Sequence, residues 1–362
     1  MIFTLNGSVD ELAALPDDEV ENLFTILLDA DRSGRHLVVI ERGVCSWGVE
    51  NLDLSGQNRT HLRGLREQYA TRGNIERYAG SYLEVVVGDC PVIKVDDYFK
   101  IGHSSFISGD YATSKTKMVV ENLKADSKLY EYLFNVAIKQ TVVPSLAVDF
   151  VMGGGNTTVT VFEAEIEKHR VSICAVDTDR ISPCDLLGET AKKVKNRHSK
   201  RNLQPSDPAT AYVGIAIETI GHELENYIPL SAIKLLDCFL CHASLDNFVS
   251  QETYEDSLNC FWLYFDTKKG LDGAKIQKKV DDGVKPSSTI SWICDKTGTQ
   301  ETEFVSLKIP GIGSSIVEHF LKHDAAKERY VVFSRTDYWK TLFLRHFEKL
   351  LWFLAAPQVS RS

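Results

Sequence analysis

The feature that most constrains this chain is a run of three short apolar segments, each closed by acidic residues or glycines and separated by helix-spaced stretches. Residues 117–121 (KMVVE) are apolar and end on Glu121. A helix pattern follows, with Leu129, Leu133, Phe134 and Val136 on one face and Asp126 or Ser127 as its N-cap. Residues 146–152 form the second apolar run and end in Gly153-Gly154-Gly155. Asn156 or Thr157 can then cap a helix that carries Val159, Phe162 and Ile166. The third run, 171–176, is apolar on both faces and stops at Asp177-Thr178-Asp179. Continuous apolar strands alternating with amphipathic helices require a parallel sheet covered on both faces. The expected fold class is therefore α/β, with a Rossmann-like parallel-sheet core.

Around that core the pattern predicts three regions: an N-terminal α/β domain over 1–112, the core over 113–235, and a mainly helical region over 236–362. In the first, 19–28 and 62–78 have helical spacing, 36–40 and 83–87 read as strands, and the Gly/Ser/Thr-rich 103–116 reads as a linker. Past the core, 212–220 is a fourth apolar run, 235–245 an apolar helix and 261–265 a strand, with helices over 314–322 and 339–355. With 362 residues, 43% hydrophobic and 25% charged, the chain is an ordinary globular protein and not a disordered or fibrous one. A net charge of -9 argues against a surface that coats nucleic acid everywhere, while leaving room for a local basic channel. The opening residues carry acids where a secretory signal needs a basic start, and no apolar stretch is long enough to span a bilayer. The expectation is a cytoplasmic protein with no membrane contact whose eight cysteines are reduced thiols.

In an open parallel sheet, reactive groups gather beyond the carboxyl ends of the strands. Glu121, Asp177 and Asp179 stand at such ends, and at the two-residue period of extended chain the two aspartates point the same way. Converging carboxylates raise one another's proton affinity, a conflict that a hard, oxygen-preferring cation resolves. The glycine turn, with Gly154, Gly155 and Asn156, lets backbone approach a phosphate at a helix N-terminus. Lys192, Lys193, Lys195, Arg197, Lys200 and Arg201 form a basic run that could add phosphate contacts.

An acid after the first strand, a glycine cluster after the second and Asp-x-Asp after the third resembles the TOPRIM domain of topoisomerases, DnaG-type primases and OLD-type nucleases. KMVVENLKADSKLYEYL, FVMGGGNTTVTVFEAEI and VSICAVDTDR resemble its three elements, and GHELENYIPLSAI resembles the acidic segment that follows in OLD-like nucleases of bacterial defence systems. Asn122 stands where that family usually has glycine. The resemblance covers residues 115–235. It implies a nuclease acting on DNA or RNA, with Glu121, Asp177 and Asp179 holding Mg²⁺ or Mn²⁺ and Glu223 or Glu225 completing a second metal position. It also implies a role as an antiviral effector, a nucleic-acid partner and a possible homo-oligomer. No GxxxxGK[ST] motif occurs, so an accompanying ATPase would be a separate chain.

Two other functions compete. CAVDTDRI is similar to the strand end of haloacid-dehalogenase-type phosphatases, and a TOPRIM-like module could bind a partner without catalysis. Three further motifs have plainer readings. Cys238-Phe239-Leu240-Cys241-His242 matches a haem-attachment pattern but reads as helix packing, and Asn226 replaces the second histidine of a zincin after His222-Glu223. Pro310-Gly311-Ile312-Gly313 has the turn of a helix-hairpin-helix, though a strand precedes it where a helix is needed.

Overall fold

The computed structural model describes residues 1–202, 211–236 and 260–358. Two parallel-sheet units are arranged in series. The first sheet contains β1 (Ile2–Asn6), β2 (Leu37–Ile40), β3 (Leu83–Val86), β4 (Ile93–Val95) and β5 (Tyr98–Gly102), in the order β2-β1-β3-β5-β4. All neighbours run parallel except β4, which returns antiparallel on β5. The sequence reading passed over β1, yet Phe3 and Leu5 are buried at the centre of this sheet.

Helices α1 (Val9–Ala13), α2 (Asp17–Arg32), α3 (Arg42–Asn51) and α4 (Gly56–Arg77) complete this unit. Helix α4 is polar along most of its length. Its Arg72 guanidinium donates 2.6 Å and 3.2 Å bonds to buried Asp31, tying α4 to α2. The predicted linker 103–116 is not one. It begins as helix α5 (His103–Ser108), whose His103 and Phe106 are buried, and ends at Thr116, the first residue of the next sheet. Its glycine reflects close packing: a Cβ on Gly109 would lie 2.6 Å from the Tyr111 ring.

The second sheet is β6 (Thr116–Val120), β8 (Val148–Met152), β9 (Ser172–Val176) and β10 (Gly214–Glu218), all parallel, in the order β10-β9-β6-β8. A two-residue strand, β7 (Ser145–Leu146), precedes β8 and pairs with Ala355–Ala356. Helices α6 (Asp126–Ala137), α7 (Thr158–Glu167) and α8 (Glu189–Asn202) make the crossovers, as the helical spacing predicts for the first two. Burial on both faces explains the continuous apolar runs. Val119, Cys174 and Val176 face α7 and α8, while Met118, Val120, Ile173 and Ala175 face the other side and join the main core. The order places the central strand β6 beside both β8 and β9, so the winding direction reverses between β6 and β9.

The C-terminal region is mainly helical, with Gly273–Asp281, Ser288–Thr297, Ile316–Lys322, Asp324–Phe333 and Arg345–Leu354 as its longer helices. The expected strand over 261–265 is instead a single helical turn, Phe261–Tyr264, because a run that short carries no period to separate strand from buried turn. Residues 238–242, with their haem-like pattern, lie outside the described residues. The segment before Pro310-Gly311 is a strand, Lys308–Pro310, which removes the first helix of a helix-hairpin-helix. One core joins all three regions: Phe347 stacks edge-on against Phe134 of α6 at 5.8 Å, and Phe353 stacks against Phe99 of β5 at 6.0 Å.

Candidate acidic site

The winding reversal between β6 and β9 puts Glu121 and Asp177 side by side at the carboxyl ends of the two strands. Glu121 Oε1 accepts a 3.2 Å hydrogen bond from the Asp177 backbone N–H, so the side chain reaches across from one strand to the next. Asp177 Oδ1 accepts in turn from the Leu224 N–H at 3.0 Å, which draws the segment after β10 over the strand ends. Thr178 anchors that segment further, donating through its hydroxyl to the Gly221 carbonyl.

The 222–227 segment carries two buried acids. Glu223 Oε1 accepts from the Thr267 N–H at 3.0 Å and from its hydroxyl at 2.5 Å. The Lys268 ammonium lies 2.8 Å from Glu223 Oε2 and 2.9 Å from Glu225 Oε1, bridging the two. The second oxygen of Glu225 is buried with no hydrogen-bond partner. Asp126, at the start of α6, folds back to accept from the Asn122 N–H at 2.7 Å and adds a further acid to the same field. The N-cap of α6 is Ala125, which makes no side-chain cap bond, so the cap expected at Asp126 or Ser127 is not formed.

Electrostatics follow from this crowding. Burial, followed by the charges of Glu225, Glu121, Asp126 and Glu223, pushes the Asp177 carboxyl well above its usual range. Glu121 is raised by burial and by Asp179 and Asp126. Glu225 is raised to about 7, first by burial and then by Glu223, with Lys268 opposing. Burial disfavours the Lys268 charge, but Glu225 and Glu223 outweigh it and hold the ammonium firmly protonated. Carboxyls that retain protons near neutrality surround a single fixed cation here, so the site takes up positive charge readily.

Asp179 behaves differently from the expectation. The strand ends at Val176, and Asp179 has a left-handed backbone with φ 55°, so the two-residue period no longer relates it to Asp177. Its N–H donates to the His222 carbonyl at 3.0 Å, and its exposed side chain packs against Gly188, where an added Cβ would overlap it. Asp179 still lies close enough to raise the Glu121 carboxyl.

The glycine turn sits directly beside Glu121. Gly153 N–H donates to the Val120 carbonyl at 2.7 Å and Gly154 N–H to the Glu121 carbonyl at 3.1 Å. Gly154 and Gly155 have φ of 74° and 61°, the region that favours glycine, and Asn156 is exposed beside them.

The basic run is spread along α8 and largely neutralised. Arg197 and Arg201 pair with Glu163 at 2.5 Å and 3.8 Å, Lys195 with Glu218 at 3.3 Å and Lys192 with Glu189 at 3.3 Å. Lys193 and Lys200 are exposed. Helix α8 starts beside Asp179 and runs away from the acids, so Arg201 stands roughly 18 Å further along its axis than Glu189. Lys192 and Lys193 are the members of the run nearest the strand ends.

Residues that the sequence reading missed are Asp126 as a member of the acidic set, together with Thr267, Lys268 and Asp266. The last three come from a polar loop with no motif, more than forty positions beyond Glu223. They reach the site because Asn226 Nδ2 donates to the Trp262 and Phe265 carbonyls at 2.7 Å and 2.8 Å, clamping that loop down. His222 donates from Nδ1 to the Arg180 carbonyl at 2.9 Å and turns Nε2 toward Asp266 Oδ2 at 3.6 Å. Ligand atoms of His222, Glu223 and Asp266 lie within 4.8 Å of one another, close enough to hold an ion.

No protein-family model, curated protein or solved structure matches this chain. No helix among the described residues is long and apolar enough to cross a membrane. The six described cysteines are free.

Proposed function

We propose that this chain is a divalent-metal-dependent phosphodiesterase of TOPRIM type, a nuclease whose working residues are Glu121, Asp177, Asp179, Glu223 and Glu225. The observation that carries the reading is the meeting of Glu121 and Asp177 at the winding reversal of a parallel sheet, with Glu223 and Glu225 folded over them. The donor set fits Mg²⁺ or Mn²⁺: Glu121, Asp177, Asp179, Glu223 and Glu225 are all carboxylates, and one buried Glu225 oxygen has no partner. Bound there, such an ion would polarise a phosphodiester and lower the pKa of a water.

The protein's own groups prepare the rest. Glu121 is held by the Asp177 N–H and Asp177 by the Leu224 N–H, so both carboxylates are oriented before a substrate arrives. Glu225 would offer its free oxygen to the ion. Lys268, fixed between Glu223 and Glu225, supplies positive charge where negative charge would develop on the phosphoryl oxygens. The nucleic-acid substrate, the role in antiviral defence and a separately encoded ATPase partner follow from the resemblance.

A second reading has one observation in its favour. Lys268 already compensates two of the acids, as it would in a non-catalytic module that binds a partner. A cleavage panel separates the two readings: single- and double-stranded DNA, tRNA and plasmid, each with Mg²⁺, Mn²⁺ or EDTA. Metal-dependent cutting that disappears in both Glu121→Gln and Asp177→Asn supports the nuclease. Absence of cutting, together with no heat of Mg²⁺ or Mn²⁺ binding, removes it. Phosphomonoesterase activity that survives Glu121→Gln would point to the haloacid-dehalogenase alternative.

A further inference from the structure

A cavity of about 800 Å³ lies away from the acids. It opens at the amino end of the second sheet, where Gly214 starts β10, whereas the acids stand at the carboxyl ends. A five-residue strand separates the two by roughly 17 Å. Four parts of the chain build its walls: residues 78–99 of the first unit, the turn after α6, the start of β10 and the Arg345–Leu354 helix. We propose that this cavity is a nucleotide-binding site, holding a base on its aromatic floor and phosphates at its basic rim.

The floor is apolar and aromatic. Phe99 and Phe353 meet edge-on at 6.0 Å, and the Trp352 indole lies against Gly80, where an added Cβ would sit 3.0 Å from the ring. A side chain at position 80 would push that ring out of place. Lys94, Arg345 and Lys349 are exposed at the rim, and none of the three forms an ion pair among the described residues. Lys195, Arg197 and Lys268, by contrast, are paired locally.

Ser81 supplies the second, independent pointer to a ligand. It is 6% exposed, its hydroxyl has no hydrogen-bond partner, and it lines the cavity. A buried hydroxyl left unsatisfied is costly and is normally bonded. Asp97, also on the wall, adds a carboxylate acceptor. A fatty chain would need neither acceptor nor hydroxyl, and a bare anion would not need the aromatic floor. A nucleotide uses all three: stacking for the base, polar partners for its amino or ribose groups, and cations for phosphate. The volume falls within the range of roughly 300–1,000 Å³ typical of small-molecule sites.

The test is calorimetric titration of the full chain in EDTA with ATP, GTP, CTP, UTP and AMP, using inorganic phosphate as a control. At least one nucleotide is expected to saturate a single site, at least about 10-fold more tightly than phosphate. The exposed double variant Arg345→Glu/Lys349→Glu should weaken it about 10-fold or more at an unchanged melting temperature. Ser81→Ala, which only removes an atom, should weaken it several-fold, and Glu121→Gln should leave it unaltered. Any of three results would overturn the proposal: no saturable binding of any nucleotide at millimolar concentration, phosphate binding as tight as nucleotide, or loss of binding in Glu121→Gln with Arg345→Glu/Lys349→Glu unaffected.

Discussion

Glu225 and Lys268 carry the sharpest consequences at the scale of single residues. Glu225 binds its proton more tightly folded than unfolded, with a pKa of about 7 against an ordinary glutamate value near 4.3. Its contribution to stability is fully present below about pH 4.3 and is lost as pH rises through 7. Metal-free protein should therefore melt at a falling temperature between pH 5.5 and 8.5, the change reaching about 2–3 kcal/mol. Glu225→Gln should flatten that slope in differential scanning calorimetry, and a slope identical to wild type would contradict the burial of this charge. Lys268→Met strips the compensating cation from Glu223 and Glu225 and should cost about 3 kcal/mol in EDTA at pH 8. Under the metal-site reading Mg²⁺ restores much of that loss, a recovery readable in the same melting curves. Glu121→Gln and Asp177→Asn should lower metal-dependent cleavage by about 100-fold or more while folding normally, as judged by circular dichroism.

Among the secondary-structure elements, the junction from β9 to α8 decides where Asp179 can go. β9 stops at Val176, Asp179 takes a left-handed turn, and Gly188 provides the space its carboxylate occupies. Gly188→Ala should displace Asp179 and reduce cleavage about 10-fold or more, with the loss in kcat and only a small change in melting temperature. An unaltered kcat would show that Asp179 takes no part. The β10 end behaves otherwise: a Cβ on Gly221 would overlap the Leu263 backbone, so Gly221→Ala should destabilise the whole chain. Apolar periodicity made β6, β9, α6 and α7 legible in advance because each buries a continuous face, and β8 was legible from its apolar run although this edge strand is only half-buried. β1 and α5 were not legible, since the first falls at the very start of the chain and the second hides Phe106 among small polar residues.

Across the whole molecule, the Arg345–Leu354 helix acts as the common keystone of both sheets. Its Phe347, Leu350, Leu351 and Leu354 are buried, Thr116 at the start of β6 donates to the Phe353 carbonyl at 2.6 Å, and the strand after it pairs with β7. Phe347→Ala should cost about 3–5 kcal/mol. Tryptophan fluorescence and far-ultraviolet circular dichroism should then still report one coincident urea transition, because the principal core runs through all three regions. Two separated transitions would show that the units fold independently.

Read alone, the order of residues determined a parallel α/β core and pointed to Glu121, Asp177 and Asp179, since strand ends and their acids are local features of the chain, while Glu223 and Glu225 came in through the resemblance. Tertiary structure alone decided what those acids do to one another. The winding reversal sets Glu121 against Asp177, and the loop clamped by Asn226 brings in Lys268 from more than forty positions away. It also decided that the basic run of α8 is mostly paired and directed away from the strand ends, which spacing along the chain cannot reveal. The reason is physical: charges interact through distance and burial, and both are properties of the folded chain.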